Sequence, residues 1–127
     1  MTQTQPQFFE QAPLIRKGRK PRSERQIQRD IEAYLISRDT IWTRTDCSFY
    51  SPQMRFNHKV TRWGWPDLTV VHCGWFLGVE VKAADGVLSE NQVQCRADIE
   101  SQGGLYVIAR SVNEVRKALD YCESNPK

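Results

Sequence analysis

The chain has 127 residues, 39% of them hydrophobic and 26% charged, with a net charge of +3. That length suits one domain able to fold without metal or disulfide staples, and the composition is that of a soluble globular protein rather than a disordered one. No apolar run nears the ~20 residues needed to cross a bilayer. The opening MTQTQPQFFE also lacks the basic and apolar regions of a signal peptide, so no membrane partner and a cytoplasmic location are expected.

The charge is unevenly placed. Residues 16 to 29 hold seven Lys or Arg against one acid, Glu24, while the 11 basic and 14 acidic residues of the rest net −3. The run Arg16, Lys17, Arg19, Lys20 and Arg22, continued by Arg25, suits a polyanion, because each neutralised phosphate releases counterions. A solvated basic arm is the plainer alternative. Cys47, Cys73, Cys95 and Cys122 form no C-x-x-C pair and have only His58 and His72 to join them around zinc, so they read as small packing residues.

In chain order, residues 1–20 lack apolar periodicity and read as a flexible basic arm, followed by a single domain over 21–127. Ser23 and Gln26 form a capping box, and Ile27, Ile31, Tyr34 and Leu35 recur at helical spacing, which predicts a helix over 23–37. On that helix Glu24 points within roughly 35° of the apolar stripe, so its carboxylate is expected to face the body of the protein. Residues 41–50 are β-branched and aromatic and predict a strand; 51–65 read as a loop or distorted hairpin. DLTVVH and WFLGVEVK then make two strands around the turn Cys73-Gly74.

Ser89 and Gln92 form a second capping box, with Leu88 and Val93 spaced as a hydrophobic staple, opening a helix to about Ser101. Gly103-Gly104 closes it with positive φ, LYVIA is a buried strand, and Ser111 with Glu114 caps a last helix whose inner stripe is Val115, Ala118, Leu119 and Cys122. The order αβββαβα predicts an α/β fold with a central mixed sheet flanked by helices.

A two-residue turn at Cys73-Gly74 pairs Val70 with Leu77, Leu68 with Val79, and Asp67 with Glu80. Leu68, Val70, Leu77, Val79 and Val81 then share one face, and Asp67, Glu80 and Lys82 the other, whereas a slip of one residue mixes them. Two opposed carboxylates repel, so positive charge is needed between them: Lys82 supplies one, and a hard divalent cation such as Mg²⁺, with Mn²⁺ as a substitute, supplies two. An ordinary surface cluster is the alternative for E-x-K taken alone.

The full set is Gly64-Trp65-Pro66-Asp67, a strand, a turn, Glu80-Val81-Lys82, and then Gln92 after Leu88-Ser89. It resembles the PD-(D/E)XK nuclease superfamily, and within it the virus-type replication-repair nuclease (VRR-NUC) family, over roughly residues 22–112. The resemblance implies a restriction-endonuclease-like core and cleavage of DNA phosphodiesters in replication, repair or recombination, without a small-molecule cofactor. It also implies that Asp67, Glu80 and the Val81 carbonyl ligate the metal, that Lys82 touches the attacking water, and that Glu24 acts more distantly, for instance through a metal-bound water. Gln92 matches a family glutamine, although the capping box explains it equally well.

Substrate contacts are expected from the basic arm and from Lys59 and Arg62. Trp63 and Trp65 either stack on unpaired bases or pack on the sheet. Trp42 and Trp75 belong to the core, His58 is a phosphate contact or solvated, and His72 is a turn residue. A lone domain has limited surface for gripping two strands, so a homodimer presenting two sites to branched DNA is expected, as the resemblance also implies. An RNA-cleaving enzyme and a silent nucleic-acid-binding module of the same fold are the competing readings.

Overall fold

The computed structural model describes residues 20–46 and 62–127, so Arg16, Lys17, Arg19, Cys47, His58 and Lys59 lie outside the described residues. Seven elements follow one another: α1 (Glu24–Ser37), β1 (Ile41–Arg44), β2 (Leu68–His72), β3 (Trp75–Val81), α2 (Glu90–Ser101), β4 (Leu105–Ala109) and α3 (Val112–Ser124). The expected αβββαβα order holds. The strands form one mixed sheet in the order β1-β2-β3-β4, antiparallel across the first two pairings and parallel across the last. The first strand is shorter than its composition suggests: it ends at Arg44, and 47–50 lie outside the described residues. No helix among the described residues is long and apolar enough to cross a membrane.

Local chemistry explains most boundaries. Ser23 and Ser89 each cap a helix reciprocally with the glutamine three residues on, satisfying backbone N–H groups that the first turn leaves orphaned. The helix α2 closes on Gly103, whose φ of 85° places it in the left-handed region. In the β2–β3 turn Cys73 (φ 51°) and Gly74 (φ 82°) both adopt positive φ, as a two-residue type I′ turn requires, and the ladder runs without a bulge.

Three expectations fail locally. The Ser111 hydroxyl does not cap α3 but donates to the Glu114 carboxylate, so the two side chains satisfy each other instead of the backbone. Val93 stays 55% exposed while Leu88 packs under α2, which leaves no staple burying both. His72 is the last residue of β2, not part of the turn, its ring held 2.8 Å from the Thr40 hydroxyl and 3.0 Å from Glu123.

Strands β3 and β4 are buried on both faces, whereas β1 is largely exposed. One face carries Leu68, Val70, Leu77, Val79 and Val81 together with Leu105 and Val107, and against it pack Ile27, Ile31 and Leu35 of α1 and Val115, Ala118, Leu119 and Cys122 of α3. The other face carries Tyr106 beneath Cys95 and Ile99 of α2, with Trp65, Phe76, Leu88 and Ile108 at the edges. Cys95 and Cys122 are buried packing residues, whereas Cys73 is exposed in its turn. Trp75 is buried in the first cluster and Trp42 packs partly against it. Because β3 is central, a polar side chain on its α2 side is enclosed by the sheet below and the helix above. Glu80 occupies such a position, 3% exposed.

Candidate active site

The β2–β3 register is the one the turn demands, Val70 opposite Leu77 and Leu68 opposite Val79. It stops one residue short of the expected Asp67–Glu80 pair. Continued further, the register would set Val81 opposite Pro66, which has no N–H. The Pro66 carbonyl instead accepts from the Thr45 hydroxyl at 2.8 Å, and the Val81 N–H is taken by the Asp67 carboxylate, Oδ2 accepting at 2.8 Å. Asp67 therefore reaches across the end of the ladder, and its own carbonyl accepts from the Thr45 N–H at 2.8 Å, which ties it to the end of β1.

Two close approaches hold the segment before Asp67. The Pro66 ring lies over Gly78, where a Cβ would come within 2.6 Å of Pro66 Cγ. Gly64, at φ +80°, lies on the first turn of α2, where a Cβ would stand 2.3 Å from the Asn91 carbonyl oxygen. These glycines let one loop clamp onto both β3 and α2.

Glu80 is the most constrained carboxylate of the group. Its Oε1 accepts from Gln92 Nε2 at 2.8 Å and stands 3.9 Å from Lys82 Nζ, while its Oε2 is buried without a hydrogen-bond partner. Burial, then the charge of Asp67, pushes its pKa up to about 9, against the pull of Lys82. Asp67 is also raised by burial, with the Val81 N–H acting in the opposite direction. Two buried carboxyls this close favour sharing one proton or binding a cation.

The donor set fits a hard divalent ion. Glu80 Oε2 is an orphaned buried acceptor, which is costly unless something fills its coordination. Among the described residues no three His, Cys, Asp or Glu side chains converge into a self-sufficient metal cluster. A cation here would rest on Asp67 and Glu80, with a backbone carbonyl such as that of Val81 and water completing its shell, a ligand balance that suits Mg²⁺.

Gln92 serves both alternatives at once. Its Oε1 accepts the Ser89 N–H at 2.9 Å to complete the capping box, and its Nε2 donates to Glu80. The Lys82 side chain is 13% exposed, its backbone N–H donates to the Ala109 carbonyl at 3.1 Å, and its aliphatic stem packs by Gly86. Glu24 is the weakest fit to expectation. It is exposed on the first turn of α1 rather than turned into the body, one turn before Ile27, where the buried stripe of the helix begins. Its charge still reaches Asp67 and Glu80 and raises both.

Two residues of this region were not found from sequence. Asp46 raises Asp67 electrostatically and lines a cleft with Glu24, but nothing in a strand-end acid signals proximity across the sheet. Arg110 donates to the Ala83 carbonyl at 2.6 Å and so fastens the loop that follows Lys82. A cation directly after β4 was the available signal.

The expected nucleic-acid contacts divide. Lys20, Arg22 and Arg25 are exposed, with Arg22 paired to Asp30 at 2.6 Å. Arg62 pairs with Asp98. Trp65 is half-buried, its Nε1 donating to Thr69 at 3.0 Å and its ring edge-on to Phe76 at 5.7 Å, whereas Trp63 is 44% exposed. Packing accounts for Trp65, which also lines a largely apolar cavity with Phe76 and Ile99. Comparison with protein-family models, with characterised proteins and with solved structures finds no match to the chain.

Proposed function

We propose that the chain is a metal-dependent nuclease of the VRR-NUC type, with a restriction-endonuclease-like core, hydrolysing phosphodiester bonds of DNA. One observation carries the reading. Asp67 and Glu80 come together at the end of the β2–β3 ladder, Glu80 Oε2 buried without a hydrogen-bond partner and Lys82 Nζ 3.9 Å from Glu80 Oε1. Burying two acids side by side is unfavourable, and a fold that needed only stability would be served better by apolar residues there.

Asp67 and Glu80 would hold a divalent cation, which would supply Lewis acidity towards a phosphoryl oxygen and towards water. The protein groups do the positioning. Asp67 is fixed by the Val81 N–H and Glu80 by the Gln92 amide, so both carboxylates are oriented before substrate arrives. Lys82, mostly screened from solvent, directs its ammonium into the same space, where it orients a water or pairs with the phosphate. One-metal and two-metal versions both suit these residues.

The preference for branched DNA and the homodimer are carried by the family resemblance. The test incubates the protein with branched, linear and single-stranded DNA and with RNA, in Mg²⁺ or in EDTA, beside Asp67→Ala and Lys82→Ala. Metal-dependent cutting lost in both variants is expected. Cutting in EDTA, or by Asp67→Ala at the normal rate, overturns the mechanism; binding without cutting makes the chain a silent module, and cleavage of RNA alone changes the substrate. A gel-filtration mass at the monomer value removes the dimer.

A further inference from the structure

The proposed site leaves open where the strand being cut is held. Beside it, between the first two turns of α1 and the end of β1, lies a polar cleft of roughly 560 Å³. Its walls include Glu24, Arg25, Gln28 and Arg29 from the helix and Arg44 and Asp46 from the strand end. The cleft is tied to the carboxylate pair through Asp46, which follows Thr45, whose N–H donates to the Asp67 carbonyl at 2.8 Å, and the charges of Glu24 and Asp46 are felt at Asp67.

The cations of the cleft are not equivalent. Arg44 is committed, its Nε and Nη2 donating to Glu32 at 2.6 and 2.7 Å, with Glu32 buried and held also by Gln28. That pair forms a rigid wall. Arg25 and Arg29, exposed like Arg44, differ from it in having no ion pair or hydrogen bond among the described residues. They sit four apart on one helix face, about 5–6 Å between Cβ atoms. Two long guanidinium side chains projecting from one helix face at that separation can reach neighbouring phosphates of one strand, each through charge-assisted hydrogen bonds.

Resting on the nuclease reading above, we propose that this cleft is the backbone-binding slot of the enzyme, in which Arg25 and Arg29 grip two successive phosphates next to the one being cut. The acidic end, with Glu24 and Asp46, faces the carboxylate pair, and the basic side follows the strand away from it. Arg29 and Arg25 thus set the register of the strand without touching the reacting atoms. They are binding residues whose effect belongs in KM and in salt dependence rather than in kcat.

The experiment compares wild type with Arg25→Ala, Arg29→Ala, the double variant, Arg29→Lys, and Arg116→Ala on α3 as a surface control. Cleavage of a labelled oligonucleotide duplex gives kcat and KM, and fluorescence anisotropy in Ca²⁺ gives Kd across a salt series. Each alanine is expected to raise KM and Kd several-fold at nearly unchanged kcat and to reduce the slope of log Kd against log salt by about 1, the double by about 2. Arg29→Lys should recover most of the salt slope, and Arg116→Ala should match wild type. An unchanged slope and KM in the double variant overturn the slot, as does a fall in kcat with KM intact. Wild type that binds the duplex without cutting it removes the nuclease reading, and the salt slopes then still decide the slot. Wild type that does not bind at low salt overturns both.

Discussion

A single amide, that of Gln92, closes the first turn of α2 with its oxygen and holds the buried Glu80 carboxylate with its nitrogen. Sequence spacing disclosed each role separately, since S-x-x-Q marks a cap and a glutamine after E-x-K matches the family pattern, but only the packing of α2 over β3 joins them. The two roles separate by substitution. Ser89→Ala removes the other half of the capping box, in which Ser89 Oγ accepts the Gln92 N–H, and leaves both contacts of the Gln92 amide in place; it should cost about 1 kcal/mol of stability in urea unfolding with divalent-ion affinity unchanged. Gln92→Leu removes both and should weaken metal affinity about 10-fold or more, read by calorimetry, with a similar loss of stability. Equal metal affinities in the two variants would make the Glu80 contact incidental. Strand alternation brought Asp67 and Lys82 to one end of the hairpin in the sequence reading, but both lie one residue beyond β2 and β3, where Asp67 caps the Val81 N–H instead of pairing across from Glu80. Glu24 and Asp46 come together only through the packing of α1 beside the end of β1, which no local pattern encodes.

At the scale of elements, legibility followed the strength of local chemistry. Both S-x-x-Q boxes and the Cys73-Gly74 turn came out in place because backbone donors and positive φ admit few solutions. The Ser111–Glu114 pair misled because a serine and an acid three apart can bond each other as well as the backbone. The loop before Asp67 was unreadable as structure, yet its glycine is decisive. Gly64 combines positive φ with a contact that a Cβ could not share with Asn91. Gly64→Ala should therefore destabilise by about 1–3 kcal/mol and also reduce cleavage, because it pushes the loop carrying Asp67 off α2. Normal cleavage with lowered stability would show the loop and the site to be independent. In the turn, Cys73 carries a left-handed conformation that asparagine tolerates better. Cys73→Asn is expected to raise the free energy of unfolding in urea by up to about 1 kcal/mol without touching activity.

For the whole molecule, the buried charges make stability depend on pH in opposite directions. Glu32 is held below its ordinary value chiefly by its hydrogen bond to Arg44, so its contribution is present above a pH of about 4.5 and fades as pH falls through the lowered value. Glu80 behaves oppositely. Its folded pKa is raised to about 9 from 4.5, chiefly by burial, so the stability it confers as a neutral acid is full below about 4.5 and is lost as pH climbs toward 9. The metal-free protein should thus be most stable in mild acid, with its melting temperature declining from there to pH 9. Divalent ions held as proposed would require the deprotonated pair and should release a proton on binding. Their stabilisation grows with pH up to that point, and at 100 times the dissociation constant it reaches about 2.7 kcal/mol. Thermal melts from pH 4 to 9 in EDTA and in Mg²⁺ test this, with Glu80→Gln as the comparison. The variant should keep the acid limb set by Glu32, lose the alkaline decline in EDTA, and gain little from Mg²⁺. An EDTA profile that rises toward pH 9, or a variant that Mg²⁺ stabilises as much as wild type, would place the ion elsewhere. Because Glu32 and Glu80 lie on elements that pack around one sheet, the two limbs report on one cooperative unit, and a melt with two separate transitions would break that link as well.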